Sequence, residues 1–153
     1  MEIYTIGHSN HKWEFFLSLL KQNKIEMLID VRAVPRSRFA PWANKALGEF
    51  LAKEGIKYRW LGDKLGGNPA LMKERGKKIS KADFAGWDRR ESYQQAIAAL
   101  LEEAARQRTA IMCAEEDPNH CHRELLIGET LKEKGVEVKH IRGRKTNLQP
   151  SLF

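Results

Sequence analysis

The chain has 153 residues, 42% of them hydrophobic and 31% charged, with a formal net charge of +7. That length and balance suit a folded domain with a substantial core and exclude a low-complexity or intrinsically disordered chain. No apolar run approaches the roughly 20 residues of a membrane helix and no signal-peptide pattern opens the chain, so a cytoplasmic protein with no membrane partner is expected.

Taken in order, strand and helix patterns alternate. Glu2 to Ile6 reads as a short strand ended by Gly7. Trp13, Phe16, Leu17 and Leu20 then recur at i, i+3, i+4 and i+7, one apolar helix face, with Ser9 or Asn10 as its expected N-cap. Glu26 to Val34 holds the apolar run Met27-Leu28-Ile29, the mark of a buried strand. Leu47, Phe50 and Leu51 mark a second helix closed by Gly55, and Ile56 to Leu61 a third strand. From Gly62 to about Asp88 the periodicity lapses. Gly66-Gly67-Asn68-Pro69 is a turn cluster there, and Lys73 to Lys81 carries five basic residues in nine positions. A loop this long in a compact domain is usually functional or mobile. Tyr93, Ile97, Leu100, Leu101 and Ala104 restore a helix, Thr109 to Cys113 a fourth strand, Leu125, Ile127 and Leu131 a last helix ended by Gly135, and Val136 to Ile141 a fifth strand.

Strands separated by helical crossovers predict an α/β fold: a single domain over 1–141, a mostly parallel sheet of about five strands with helices on both faces, and a peripheral tail over 142–153. In open α/β sheets, ligands bind beyond the carboxyl ends of the strands. The residues expected on that rim are Gly7-His8-Ser9-Asn10, Arg32 with Pro35-Arg36-Ser37-Arg38, the Gly66-Gly67 loop, and Cys113-Ala114-Glu115. Nearly every chemically suggestive group of the chain falls there.

The densest stretch runs from Cys113 to Arg123 and contains both cysteines, two histidines, three carboxylates and an arginine. Asp117-Pro118 fits a helix start, which would place Cys121, His122 and Arg123 in its first turns. Helix dipole and neighbouring cation would then favour a thiolate. On that reading Cys121 is a nucleophile or redox thiol and His122 or His120 a proton carrier. On the plainer one, Cys121 is a small buried hydrophobe and Arg123 a salt-bridge partner. Cys113 ends an apolar strand and is expected buried. Its sulfur can pair with Cys121 if the loop folds back, although reduced thiols are the expected state in a reducing compartment. The consecutive His120, Cys121 and His122 do not converge readily on one tetrahedral ion, so neither metal nor cofactor is expected.

Arg32, Arg36 and Arg38 follow a buried strand, and no acidic residue lies between Arg32 and Lys45. Arginine forks match phosphate or carboxylate oxygens in pairs. As a group they are candidate anion ligands; singly, each is an ordinary surface residue. Asp30, two residues before Arg32, is placed to orient it. Gly7-His8-Ser9, where a strand meets a helix start, is a candidate anion site through backbone N–H groups. His8 is a candidate acid or base, or a satisfied polar residue beside a turn.

Tyr4-Thr5-Ile6-Gly7-His8-Ser9-Asn10, Leu28-Ile29-Asp30-Val31-Arg32 with Pro35-Arg36-Ser37-Arg38-Phe39, Leu65-Gly66-Gly67, Cys113-Ala114-Glu115 and Cys121-His122-Arg123 together resemble the signature blocks of the bacterial and archaeal family called domain of unknown function 488. The resemblance implies an α/β domain with these residues on the family's motif positions and no established reaction; for some members it also implies a link to DNA repair. A more distant likeness is to rhodanese-type sulfurtransferases, whose compact cysteine loop is replaced here by a longer one carrying a second cysteine.

The leading expectation is an enzyme acting on an anionic, phosphate-bearing substrate. Ser9, Arg32, Arg36, Arg38 and Arg123 would bind the anion, and His8, Cys113, Glu115, Cys121 and His122 would supply nucleophilic or acid–base groups. The alternatives are a non-catalytic nucleic-acid or nucleotide binding module using the same arginines with Lys73 to Lys81, and a thiol redox or sulfur-transfer protein.

Overall fold

The computed structural model describes residues 1–9, 11–32, 44–66, 86–114 and 123–143. The chain passes through β1 (Glu2–Gly7), α1 (Trp13–Gln22), β2 (Met27–Asp30), α2 (Asn44–Lys53), β3 (Lys57–Trp60) and a single turn, α3 (Gly62–Leu65). A 3-10 turn (Trp87–Arg89) then leads into α4 (Glu91–Arg106) and β4 (Thr109–Cys113). Finally a π-helical turn (Arg123–Gly128) runs straight into α5 (Glu129–Glu133), followed by β5 (Glu137–Ile141).

The five strands form one sheet in the order β3-β2-β4-β1-β5, and every pairing is parallel. Successive strand residues point to opposite faces, and the two faces bury different sets. Tyr4, Ile6, Leu28, Ala110 and Met112 pack against Phe16, Leu19 and Leu20 of α1 and Leu47 and Leu51 of α2. Ile3, Ile29, Ile111 and Cys113 pack against Tyr93, Ile97 and Leu100 of α4 and Leu126, Ile127 and Leu131 near α5. Each helix buries one apolar stripe, so the sheet is covered on both sides, as its apolar strands require. This is the α/β architecture that the alternating pattern predicts. No helix among the described residues is long and apolar enough to cross a membrane.

Local departures have local causes. The N-cap of α1 is Lys12, extended at φ −71° and ψ 150°, rather than Ser9 or Asn10. Ser9 lies too early because its N–H is bonded to Ala114 O at 2.8 Å, which holds it to the end of β4. The segment expected to be irregular from Gly62 contains α3 and the 3-10 turn; its residues 67–85, with Lys73 to Lys81, lie outside the described residues. So does the expected helix start at Asp117-Pro118. Gly55 and Gly135 have φ of 76° and 80° where helices end, which is the left-handed conformation glycine adopts most readily. Of the expected tail, Gly143 packs closely on the start of α1, since a Cβ there would come within 2.9 Å of Phe15 Cε2 and 2.7 Å of His11 Nε2, just before the helix.

Gly62 permits the closest approach near the rim. A Cβ at this position would lie 1.8 Å from Arg32 O and 2.5 Å from Trp60 Nε1. Trp60 Nε1 itself donates to Arg32 O at 2.8 Å. Gly62→Ala must therefore push the exits of β2 and β3 apart. It is expected to cost about 3 kcal/mol, the upper range for overpacking a tight site, read as a lower urea midpoint at unchanged slope.

Candidate functional site

The connections determine where a crevice can form. After β1 and β2 the chain turns to the α1/α2 face, whereas after β4 it leads to the opposite face, carrying α5. Neighbouring strands whose exits diverge leave a crevice at their carboxyl ends, the usual ligand position of such sheets. Here β4 is flanked by one on each side, since β2 and β1 are its two neighbours. The three exits are level with one another. Gly7 pairs with Cys113 and Asp30 with Met112. His8 N donates to Cys113 O at 2.9 Å, and Val31 N to Met112 O at 2.9 Å.

At the end of β2 lies a buried charge pair. Asp30 is fully buried and Arg32 is 5% exposed. Asp30 Oδ1 accepts from Arg32 Nε at 2.9 Å and from its backbone N at 3.0 Å. Oδ2 accepts from the guanidinium NH2 at 2.7 Å and from the Tyr58 hydroxyl at 2.6 Å. The carboxylate thus receives four hydrogen bonds, and the arginine fork is fixed by a two-point contact. Burial first, and then the Asp30 charge, push the Tyr58 phenol above its ordinary value, so it remains a donor.

Arg32 reaches across to His8, its NH1 lying 3.4 Å from His8 Nε2. His8 Nδ1 is 2.9 Å from Ser9 O. A carbonyl can only accept and a guanidinium can only donate, so Nδ1 carries the proton and Nε2 presents its lone pair. Burial lowers the imidazole from 6.5 to about 4; the Ser9 carbonyl pulls the other way and the Arg32 charge adds to the lowering. His8 is therefore a neutral imidazole of defined tautomer.

Cys113 stands one strand away but on the other face. It packs with the α4/α5 set, whereas Leu28, Met112 and Ile6 mark the face on which Asp30, Arg32 and His8 lie by strand alternation. It is 1% exposed and disulfide-bonded, where reduced thiols were expected; Cys121 is the only other cysteine of the sequence. The structure thus brings His8, Ser9, Arg32 and the Cys113 backbone together, with the Cys113 sulfur across the sheet. Glu115, Cys121, His122, Arg36 and Arg38, and the side chain of Arg123, lie outside the described residues. The expected anion cradle of backbone N–H groups at Gly7-His8-Ser9 is not formed by His8 and Ser9, because both donate to β4 carbonyls.

Sequence reasoning missed Tyr58, Trp60 and Gly62, which come from β3 and α3 and close the site around Asp30 and Arg32. The one sequence signal for them is position, since they fall at or just past the end of the strand after the arginine loop. A groove of about 660 Å³ near β3 lies elsewhere, lined by Met27, Gly48, Ala52, Ile56, Tyr58 and Glu103 but by none of His8, Arg32 or Cys113. Among the described residues no group of three or more His, Cys, Asp or Glu side chains is placed to hold a metal ion.

Asp30→Asn leaves the Arg32 charge buried without its counter-ion and is expected to destabilise the fold by about 3–5 kcal/mol, measured by urea unfolding. For His8 the folded imidazole binds its proton at lower pH than the unfolded one, so acid favours unfolding. Its contribution is complete above about 6.5 and declines as pH falls, the loss amounting to about 3 kcal/mol once pH reaches 4. Unfolding free energies between pH 4 and 7 should therefore slope less steeply in His8→Asn than in the wild type.

No curated protein and no solved structure matches the chain. A family model does match, over residues 12–129, a stretch that includes Asp30, Arg32, Tyr58, Gly62 and both cysteines. The chain belongs to the family described as domain of unknown function DUF488.

Proposed function

We propose that this DUF488 protein is an enzyme acting on an anionic, phosphate-bearing substrate at the carboxyl-end crevices beside β4. The observation that carries this reading is the buried Asp30–Arg32 pair with the neutral His8 against it. A buried ion pair is seldom a net gain over apolar residues of the same volume. Its position at a diverging strand exit, joined to an imidazole of fixed tautomer, supports a chemical use.

In this reading Arg32 is mainly a positioning residue, because Nε and NH2 are committed to Asp30. Arg36, Arg38 and Arg123 supply the charge that meets the anion, and the Ser9 hydroxyl supplies a hydrogen bond to it. His8 takes up or returns a proton at Nε2, and its lowered proton affinity keeps it in the basic form at neutral pH. Cys113 or Cys121 serves as nucleophile only once the disulfide is open, with His122 and Glu115 as acid–base partners. The net charge of +7 favours such a substrate over a cationic one.

Native mass spectrometry of the purified protein, with thermal shifts against inorganic phosphate, nucleotides and sugar phosphates, tests the proposal. A phosphate-bearing compound is expected to raise Tm, by about 2.7 kcal/mol of stabilisation at a hundred-fold excess over Kd. The shift should be lost in the Arg36→Ala/Arg38→Ala double variant and kept in Lys77→Ala/Lys78→Ala. Salt-sensitive binding of DNA or RNA that disappears in the lysine variant would favour the binding module instead. No retained compound and no shift with any phosphate sinks the enzyme reading.

A further inference from the structure

β3 is an edge of the sheet, and among the described residues it pairs with β2 alone. Lys57 N donates to Glu26 O at 2.9 Å and Leu61 N to Asp30 O at 2.9 Å, so the odd-numbered backbone groups of this strand face β2. The N–H and C=O groups of Tyr58 and Trp60 therefore point outward, as those of an edge strand do. The groove of about 660 Å³ lies along this edge. Gly48 and Ala52 of α2 form one wall and Glu103 of α4 the other, with Lys57, Tyr58 and Arg59 between them. A Cβ on Gly48 would lie 3.2 Å from Tyr58 Cδ2, so α2 leans closely on the strand. One turn later the exposed Ala52 adds only a methyl group.

The charge along the groove is one-sided. Glu103 is the one acid in its lining, and both of its oxygens are engaged. Oε1 accepts from Arg106 at 2.7 Å and from Gln107 at 3.2 Å, and Oε2 from Arg59 at 3.3 Å. Two arginines thus meet one carboxylate, and the exposed Lys57 makes no ion pair among the described residues. Lys57 and Arg59 lie on the α4 face of the sheet, as register partners of Met27 and Ile29, while Tyr58 packs on the α2 face. A second copy of β3 is a poor occupant. In a two-fold antiparallel pair, setting Tyr58 opposite Trp60 brings Arg59 against Arg59, and setting Tyr58 opposite itself brings Lys57 against Arg59. Like charges directly opposite destabilise a strand pair. A register centred on Trp60 runs straight into α3.

We propose that the free edge of β3 is a docking strand for an acidic, extended segment of another protein. The segment adds to the sheet through the outward groups of Tyr58 and Trp60. It presents carboxylates to Lys57 and Arg59 on one face and small apolar side chains to Tyr58 and Ala52 on the other. This role is independent of the chemistry at the rim.

A fluorescently labelled peptide of alternating valine and glutamate tests it by anisotropy. The controls are the same peptide N-methylated throughout its backbone, a valine–lysine counterpart, and sedimentation of the protein alone. The acidic peptide is expected to bind, more weakly as salt rises, and the two control peptides are not. Lys57→Glu exchanges an attraction for a repulsion and should weaken binding by about ten-fold. Tyr58 is left unchanged in every variant because its hydroxyl holds Asp30. In hydrogen exchange, the bound peptide should slow the Tyr58 and Trp60 amides, whereas that of Leu61, already bonded to Asp30 O, should change little. The methylated peptide carries the test if Lys57→Glu does not fold. Absence of binding, equal binding of the methylated peptide, or a dimer of the protein alone that protects the same two amides overturns the proposal.

Discussion

The arrangement at the rim depends on one charge taken out of water, the Arg32 guanidinium against the Asp30 carboxylate at the end of β2. Burial of that pair demands that every oxygen and fork position find a partner, and the neighbouring exits supply them. Tyr58 comes from β3, two positions before Trp60, whose indole caps Arg32 O. Leu61 N bonds Asp30 O at 2.9 Å. Gly62 then has no room for a side chain because the β2 backbone fills that space. The edge strand and the short α3 are thus placed by the needs of a residue pair on the neighbouring strand.

Burial, with the same charge adding to it, explains why His8 is neutral. A protonated imidazole would turn a second N–H toward Arg32 in a place with little water to screen it, so burial and charge act in one direction. Desolvation comes first, as expected for a ring 8% exposed. The Ser9 carbonyl does not cancel this; it selects which nitrogen keeps the single proton. The outcome is a neutral imidazole whose state is set by its surroundings rather than by residue type.

Much of the fold is legible in the sequence because burial on both faces leaves a plain signature. Met27-Leu28-Ile29 and Ala110-Ile111-Met112 read as apolar runs, and both are central strands. The spacing of Phe16 and Leu20 names the inner face of α1. The strand order is not legible, since periodicity states which residues are buried and not which strands pair. That is why Asp30 and Arg32 could be linked from their spacing, whereas Tyr58 could not. The N-cap of α1 misleads for a related reason. Ser9 has the right chemistry for a cap, but a long-range bond to Ala114 outcompetes the local one. The disulfide runs against an expectation drawn from compartment, which speaks to the average cysteine and not to one at a strand exit.

The placement of sulfur and imidazole on opposite faces restricts any chemistry that uses both. Gly7 and Cys113 are register partners on adjacent strands, whose backbones in a sheet lie about 4.8 Å apart. The lateral separation is small, and the obstacle is the sheet itself. A substrate in contact with His8 on the α1/α2 side and with a thiol on the α4/α5 side must pass over the crest of β4. The residue at that crest is Ala114, exposed and bearing a single methyl group. A long side chain there would wall one crevice off from the other. For the proposed enzyme, a ligand that used both groups would have to lie across the strand end, beside the methyl group of Ala114.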